Sequence, residues 1–320
     1  MNKVMKAKIY AAKADMSQAE WVESRKNGIG GSDAAAIAGL NPYKSAYTVY
    51  ADKLGLLPEQ PDNERMRQGS DLEEYVARRF REDMEEKGTP KKTKNCNYIL
   101  QHPQYPWMLA NVDRLIVGEN AGLECKTTSV LNLRRFNGED FPEEYYVQCM
   151  HYMAVTGAAR WYLGVLILNQ GYQTYTIERD EQEIESLIRL EERFWNENVR
   201  KRQEPAPDGS DRTGEAILSL YPSADESEID LSLYDEEIER YMKLNAEIKD
   251  LEHKQQEIKQ RIQAYMKDAG RGRACGYAVK WANVERNDFD KKTFRAENPE
   301  VYRQYLRPTV TRRFSITEIQ

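Results

Sequence analysis

The sequence predicts an α/β protein with a mixed central sheet flanked by helices, then a long helical, coiled-coil-like arm and a small β-containing tail. Short apolar runs typical of strands fall within residues 96–127 and 160–178, with helical periodicity before, between and after them. Residues 202–230 are rich in Pro, Ser and acidic side chains. Beyond them, residues at alternating spacings of three and four from Tyr241 to Tyr265 are apolar except for Gln255, which is a heptad pattern broken once.

Length and composition are those of a protein with a substantial core. The 320 residues are 40% hydrophobic and 31% charged, enough for one large domain and a smaller one. No stretch approaches the ~18 consecutive apolar residues of a membrane helix, and the N-terminal residues lack a signal-peptide core. We therefore expect no membrane association and a cytoplasmic location. The four cysteines form no CxxC pair, so neither a disulfide framework nor a zinc site is expected.

The net charge of −6 does not favour a nucleic-acid partner, but the basic residues are clustered. Lys91-Lys92-Thr93-Lys94 forms one cluster and Arg312-Arg313 another. Such clusters can hold phosphates by releasing counterions, while acidic surface elsewhere sets the total. Each cluster alone is more typical of a solvated surface, so the charge pattern permits DNA binding without indicating it.

The order of elements follows from periodicity and turn residues. A Gly-rich turn spans Asn27–Asp33, and Asn169-Gln170-Gly171 is a hairpin turn between two strands. The predicted helices are 17–26, a short one from Ala34, 70–87, 143–157 and 180–200. The predicted strands are 96–101, 107–117, 121–127, 160–168 and 172–178.

Three segments are predicted from these elements. A first domain spans residues 1–201, and a linker follows over 202–230. A C-terminal module over 231–320 holds the long helix 234–268 and a tail with strands at 276–284 and 308–316. The heptad seam of the long helix must be buried somewhere. It could pack within the same chain, pair with a neighbouring subunit or receive a partner protein.

Two carboxylates and a lysine carry the strongest chemical signal. Asp113 closes an apolar run, and eleven residues later Glu124 and Lys126 share one face of a predicted strand. Oxygen ligands of this kind hold Mg²⁺, and a neighbouring lysine supports phosphodiester hydrolysis without displacing the metal. A lone ExK is also common at ordinary strand surfaces, so the motif alone does not decide the function.

Flanking helices add further polar candidates. Gln148 lies on the helix after the strand pair, with Tyr145 on the same helix face. Glu73 lies on the helix before the strands, three residues after Ser70. That spacing also fits a capping box, in which Glu73 only satisfies the Ser70 backbone N–H, and local sequence favours this structural role.

Taken together, the order Glu–Asp–ExK–Gln on helix, strand, strand and helix resembles the PD-(D/E)xK nucleases. It is most similar to the YqaJ-like phage recombinase and lambda exonuclease family, over roughly residues 15–200. The resemblance implies a restriction-endonuclease-like fold for the 1–201 domain, with a nuclease function. The roles that it implies are metal ligation by Asp113, Glu124 and the Cys125 carbonyl, and catalysis by Lys126, Glu73, Gln148 and Tyr145.

Arg25 and Ser32 match the arginine and serine with which the family holds the substrate's 5′-phosphate. The amides of a Gly-rich turn before a helix are also a plausible anion site on physical grounds. A structural glycine turn with Ser32 as helix N-cap explains the same residues equally well. One departure is Val112, which replaces the proline of the superfamily's motif at a position that does no chemistry.

The resemblance implies a Mg²⁺-dependent exonuclease, with Mn²⁺ as a substitute metal, that digests linear duplex DNA from 5′ to 3′. The 3′ strand would pass to a RecT-like or Redβ-like annealing protein, and the enzyme would form a homo-oligomer such as a ring trimer. Two alternatives remain open. A structure-specific or nicking endonuclease would use the same residues, and a non-catalytic DNA-binding assembly protein would need a broken site. The four cysteines are not clustered in the sequence, so an iron–sulfur cofactor is not expected.

Overall fold

A computed structural model of the chain describes residues 6–58, 64–308 and 310–318. The chain divides into two compact units, Met1–Tyr221 and Pro222–Gln320. No helix in the described ranges is long and apolar enough to cross a membrane.

The first unit is built on a mixed five-stranded sheet and a smaller antiparallel sheet. Its described strands are β1 (Lys8–Ala12), β2 (Thr93–Asn95), β3 (Tyr98–Gln101), β4 (Leu109–Asn111), β5 (Arg114–Ile116), β6 (Ala121–Thr128), β7 (Arg160–Ile167) and β8 (Gly171–Glu178). The larger sheet has the order β2-β5-β6-β7-β8, in which β6 and β7 are parallel and the other neighbours antiparallel. The smaller sheet has the order β1-β3-β4.

Helices flank the larger sheet. The α-helices described in this unit are α1 (Gln18–Ser24), α2 (Gly31–Ile37), α3 (Ala46–Lys53), α4 (Glu64–Glu86), α5 (Glu143–Thr156), α6 (Glu181–Arg193) and α7 (Asp211–Leu220). Phe80 of α4 packs with Leu123 of β6 and Tyr162 of β7, while Met150 and Met153 of α5 belong to a second, larger apolar cluster. The predicted class, a mixed central sheet flanked by helices, is confirmed.

Close packing between side chains fixes how β7 lies against β6. A Cβ at Gly122 would lie only 2.2 Å from the Trp161 ring, so the indole of β7 occupies the space a side chain on β6 would fill. Trp161 and Leu123 are fully buried. Because protein interiors are packed as densely as organic crystals, these contacts hold β6 in one register against β7.

The predicted strand 107–117 is wrong in one respect, because it is interrupted at Val112-Asp113 and forms two separate strands. Residues before the break form β4 and pair with β3, whereas residues after it form β5 and pair with β6. The apolar run therefore supplies strands to two different sheets. Sequence periodicity does not reveal this change from one sheet to the other, because both strands consist mainly of buried residues.

The predicted linker over 202–230 is partly wrong. Ser210 accepts a hydrogen bond from the Thr213 backbone N–H and starts α7, whose Ala216 is buried. Glu204 accepts hydrogen bonds from Tyr47 at 2.6 Å and Tyr221 at 2.8 Å, which ties this stretch to α3. The first unit thus extends to Tyr221 rather than ending at residue 201.

The second unit contains the predicted long helix. It is α8 (Asp235–Met266), followed by a hairpin of β9 (Arg271–Ala274) and β10 (Tyr277–Lys280), then α9 (Lys291–Glu297) and α10 (Pro299–Gln304). The predicted strand 276–284 is thus shorter, and the predicted strand 308–316 is wrong for residues 308 and 310–316, which have no strand partner in the described chain. Residue 309 lies outside the described residues.

Candidate active site

Asp113 lies at the break between β4 and β5, beside β6. One carboxylate oxygen, Oδ2, accepts a hydrogen bond of 2.8 Å from the backbone N–H of Cys125. Pairing of β5 with β6 brings this loop alongside the strand that carries the next carboxylate. The turn between two sheets therefore gives Asp113 a position that a continuous strand would not provide.

Glu124 and Lys126 lie two residues apart on β6, so their side chains share one face of the sheet. The Nζ of Lys126 lies 2.6 Å from Oε1 of Glu124. Gln148 of α5 donates a 2.7 Å hydrogen bond from Nε2 to the same oxygen. The other oxygen of Glu124, Oε2, is buried and has no hydrogen-bond partner among the described residues.

The site concentrates negative charge in a buried position. Burial raises the pKa of Asp113 well above its usual range, and the charges of Glu124 and Glu73 raise it further. Burial opposes the charged form of Lys126, but the carboxylates of Glu124 and Asp113 outweigh it and raise the pKa of the amine. Lys126 therefore stays protonated, and the carboxylates still lack full compensation for their charge.

These residues fit a divalent cation of the hard, oxygen-preferring kind. A cation would supply the partner that the buried Oε2 of Glu124 lacks among the described residues. It would also reduce the repulsion between the carboxylates of Glu124 and Asp113. In the described residues no group of three or more His, Cys, Asp or Glu side chains forms a ready metal cluster. Mg²⁺ commonly binds one or two carboxylates together with water and substrate phosphate, so two carboxylates are sufficient for it.

The interpretation of Glu73 as part of a capping box is wrong. Helix α4 begins at Glu64, so Ser70 lies within the helix, where its hydroxyl donates to the Met66 carbonyl at 3.3 Å. Glu73 instead forms a short ion pair with Arg114, which also donates a 2.8 Å hydrogen bond to the Asp113 carbonyl. Arg114 thus links Glu73 to the turn that carries Asp113.

Glu73, Asp113, Glu124, Lys126 and Gln148 line one polar cavity of about 440 Å³. Arg25 and Ser32 line the same cavity, so seven of the predicted site residues surround one space. The cavity is lined by Tyr152 too, whose hydroxyl accepts a 2.8 Å hydrogen bond from Gln148.

The Gly-rich turn brings Ser32 to this cavity. A Cβ at Gly31 would lie 2.8 Å from Cγ of Gln148 and 2.9 Å from the Tyr152 ring, so only a glycine allows α2 to approach α5 this closely. The N-cap of α2 is Gly30, whose backbone N–H donates to Asp33. The alternative in which Ser32 caps the helix is therefore wrong.

A buried ion pair holds the same turn against α3. Lys53 lies 2.6 Å from Oδ2 of Asp33 and donates a 2.8 Å hydrogen bond to the Arg25 carbonyl. The two side chains are only 2% and 5% exposed. This pair fixes the backbone of Arg25 relative to α2, and therefore the relative positions of Arg25 and Ser32.

Two predicted residues are placed differently from the rest. Tyr145 does not line the cavity, but the Nζ of Lys126 lies 5.1 Å from its ring centroid in a cation–π contact. Burial raises the pKa of Tyr145, so the phenol remains neutral. Cys125 meets Asp113 through its backbone N–H, and the role of its carbonyl as a metal ligand stays a prediction.

Sequence reasoning missed several contributors to the site. Arg114 follows Asp113 directly, and a basic residue next to a candidate ligand was the available signal. Nothing local marks Lys53, because its partner Asp33 lies 20 residues away. Lys13 and Trp21 also line the cavity and contact each other, with Nζ 4.6 Å from the ring centroid.

Two carboxylates, a lysine and a glutamine line one polar cavity beside a mixed sheet, and these are residue types that phosphodiester hydrolysis uses. The model of the YqaJ-like viral recombinase domain matches residues 20–159 of the chain. The uncharacterized protein YqaJ of Bacillus subtilis (strain 168) is 38% identical over 319 residues, covering 98% of each chain. The chain therefore belongs to the YqaJ-like viral recombinase family, and the resemblance seen in the sequence is confirmed.

Solved structures of lower similarity include two exonucleases. The alkaline exonuclease LHK-Exo from Laribacter hongkongensis is 20% identical with a TM-score of 0.44, covering 57% of this chain and 94% of the other. A phage-related exonuclease from Haemophilus somnus 129PT is 14% identical with a TM-score of 0.38, covering 55% and 96%. Both are too distant to assign the role of any residue.

Proposed function

We propose that the protein is a Mg²⁺-dependent exonuclease that digests linear duplex DNA from 5′ ends and leaves 3′ single strands for recombination. The observation that carries the proposal is the buried Oε2 of Glu124, next to Asp113 and Lys126, which no donor in the described part of the chain meets. Such an oxygen is costly unless a cation or donor meets it. Membership of a viral recombinase family supports the role in recombination.

Asp113 and Glu124 would hold the metal, together with the Cys125 carbonyl. A divalent ion bound there supplies Lewis-acid stabilisation of the charge that develops on the scissile phosphate. The protonated amine of Lys126 adds a fixed positive charge beside the same phosphate, and Gln148 keeps Glu124 oriented through its 2.7 Å hydrogen bond. Glu73, held by Arg114, and Tyr145, packed against Lys126, keep the lysine and the Asp113 turn in place.

Preference for a 5′ end would come from Arg25 and Ser32. Both line the cavity that contains the carboxylates, so a terminal phosphate bound there would lie within one pocket of the cleavage site. Guanidinium–phosphate hydrogen bonds are among the stronger polar contacts. A free 5′-phosphate end would therefore be held while the next phosphodiester meets Asp113 and Glu124.

The test is digestion of linear duplexes labelled at either end and carrying a 5′-phosphate or a 5′-hydroxyl, with Mg²⁺, with Mn²⁺ and with EDTA. Asp113→Ala, Glu124→Ala and Lys126→Ala should each slow cleavage by on the order of 10²–10⁴-fold or more while DNA binding in Ca²⁺ persists. Lys87→Ala, at an exposed lysine of the α4 C-terminal end, is the matched control. Near-normal cleavage by the Lys126 variant would remove that residue from the mechanism.

The end pocket has its own readout. Arg25→Ala should slow digestion of 5′-phosphorylated ends at least tenfold more than that of 5′-hydroxyl ends, since charge-assisted contacts to phosphate are worth on the order of 1.5–3 kcal/mol. Equal slowing on both substrates would reduce Arg25 to a structural role. Cleavage of closed circular DNA at a comparable rate would favour an endonuclease of the same superfamily instead.

The proposal includes a homo-oligomer, such as a ring trimer around the DNA, and a RecT-like or Redβ-like annealing protein that receives the 3′ strand. Sedimentation of the chain with and without duplex DNA measures the first. Annealing of the exonuclease product by a purified protein of that type, with and without this chain, measures the second. Metal-independent binding without any cleavage would leave a non-catalytic assembly role.

A further inference from the structure

Helix α8 presents an apolar seam that the described residues of the second unit leave largely exposed. The seven apolar residues of the heptad positions between Tyr241 and Tyr265 are between 42% and 89% exposed. The ring of Phe314 packs edge-on against Tyr241 at a centroid distance of 6.0 Å and still leaves this tyrosine 43% exposed. At ~1.5 Å per residue the seam is about 36 Å long, and a stripe of this length requires a covering surface.

The charge of the helix argues against DNA as that surface. Between Asp235 and Met266 there are eight acidic and six basic side chains. A helix that contacts phosphates carries an excess of Lys and Arg, because affinity for DNA comes from phosphate neutralisation. The occupant of the seam is therefore expected to be protein.

The seam has an internal symmetry. Its seven apolar residues and the polar Gln255 fall in four pairs, at distances of 12, 9, 5 and 2 positions on either side of His253. The pairs are Tyr241 with Tyr265, Leu244 with Ile262, Ile248 with Ile258, and Leu251 with Gln255. A second copy lying antiparallel, with a two-fold axis through His253, would bring each residue against its mirror partner. Such a self-complementary patch is what a two-fold homodimer requires.

The charges distinguish antiparallel from parallel pairing. The half from Asp235 to Asp250 has six acidic and three basic residues, and the half from Leu251 to Met266 has two acidic and three basic. An antiparallel partner would place the acidic half of each helix on the basic half of the other. Complementary flanking charges select partner and orientation in coiled coils.

The residues that flank the central layers follow the same rule. Glu247 and Glu252 are the sequence neighbours of the seam residues Ile248 and Leu251. Lys254 and Lys259 are the sequence neighbours of the seam positions Gln255 and Ile258. An antiparallel pair places the glutamates of one helix opposite the lysines of the other. A parallel, in-register pair would place glutamate opposite glutamate and lysine opposite lysine. In the chain Lys254 pairs with Asp250, but that contact is exposed and weak.

We propose that α8 is a dimerisation arm, in which two copies of this chain pair their seams as an antiparallel coiled coil centred on His253. The arm joins two protein copies through the second unit, independently of any assembly formed by the nuclease unit. Each copy contributes the same residues, so the contact closes on itself and does not propagate into fibres.

Disulfide trapping in the full chain tests the orientation. In a Cys275→Ser background, which removes the exposed natural thiol, Leu244→Cys and Ile262→Cys are made in separate chains. The expected result is a disulfide-linked dimer only when the two variants are mixed, because each position faces the other. A covalent dimer formed by either variant alone shows parallel pairing and overturns the proposal.

Charge reversal tests the same contact without cysteines. Lys254→Glu with Lys259→Glu should raise the dissociation constant of the dimer at least tenfold in sedimentation equilibrium. Adding Glu247→Lys and Glu252→Lys in the same chain should restore it, since the complementary charges are exchanged. A chain that stays monomeric at micromolar concentration and gives no mixed disulfide leaves the seam to the same chain or to a different protein, and overturns the proposal. None of these readouts depends on nuclease activity.

Discussion

The buried ion pair between Lys53 and Asp33 is the part of the site whose removal has the most calculable effect. In Lys53→Met the methionine fills similar space, but Asp33 loses a partner at 2.6 Å in a position where both side chains are at most 5% exposed. Breaking a buried ion pair by removing one partner typically costs about 3–5 kcal/mol. Asp33 keeps the Gly30 N–H at 3.1 Å and the more distant Lys44 at 3.6 Å, so we expect the lower end, about 3 kcal/mol.

The measurement is urea unfolding of the full chain followed by tryptophan fluorescence. Four of the five tryptophans lie in the first unit, so the signal reports on the unit that contains the ion pair. The matched control is Lys44→Met, which removes a 37% exposed lysine from the same carboxylate and should cost no more than about 1 kcal/mol. Asp33→Asn in the Lys53→Met chain removes the stranded charge, keeps the oxygen that caps Gly30, and should recover about half of the loss.

The pH dependence has a definite sign. Burial opposes ionisation of Asp33, but the charges of Lys53 and Lys44 outweigh it and hold its pKa well below its ordinary value. The stabilisation is therefore complete above pH of about 4, the pKa in the unfolded chain, and is lost as pH falls further. Lys53→Met should make the acid-side decline in unfolding free energy shallower. A loss no larger than that of Lys44→Met, or an unchanged acid-side slope, would refute the reasoning.

Three further predictions concern the rest of the first unit. Gly31→Ala should displace Gln148, destabilise the chain by about 1–3 kcal/mol and slow cleavage in the same assay, whereas unaltered cleavage would contradict the close approach seen here. Arg114→Met should lower the unfolding free energy by about 1–3 kcal/mol and slow cleavage, because Glu73 loses its ion-pair partner. The control is Arg78→Met, on the exposed face of α4. Burial lowers the pKa of His102 to about 4, so unfolding free energy should fall as pH drops from about 6.5 to 4, and His102→Gln should flatten that profile in urea titrations at several pH values.

The sequence by itself determined the class of the fold and predicted which side chains would meet at the site. Alternation along β6 was enough to place Glu124 and Lys126 on one face, and their distance of 2.6 Å agrees with it. Helical periodicity located α5 and α8 to within a few residues, because apolar residues spaced three and four apart follow the period of a helix whether or not that face is buried in one chain. The residue types around Asp113, together with the family resemblance, indicated phosphodiester chemistry before any geometry was known.

Tertiary structure decided the rest, since it depends on contacts between residues distant in the chain. Local rules favoured Glu73 as a helix cap, yet Arg114, 41 residues away, engages it because α4 begins earlier and lies against β6. The Lys53–Asp33 pair, the break at Val112-Asp113 and the attachment of α7 to the first unit arise in the same way. Propensity and periodicity report only near neighbours, whereas burial and sheet pairing bring distant residues together and settle which partner each charge meets.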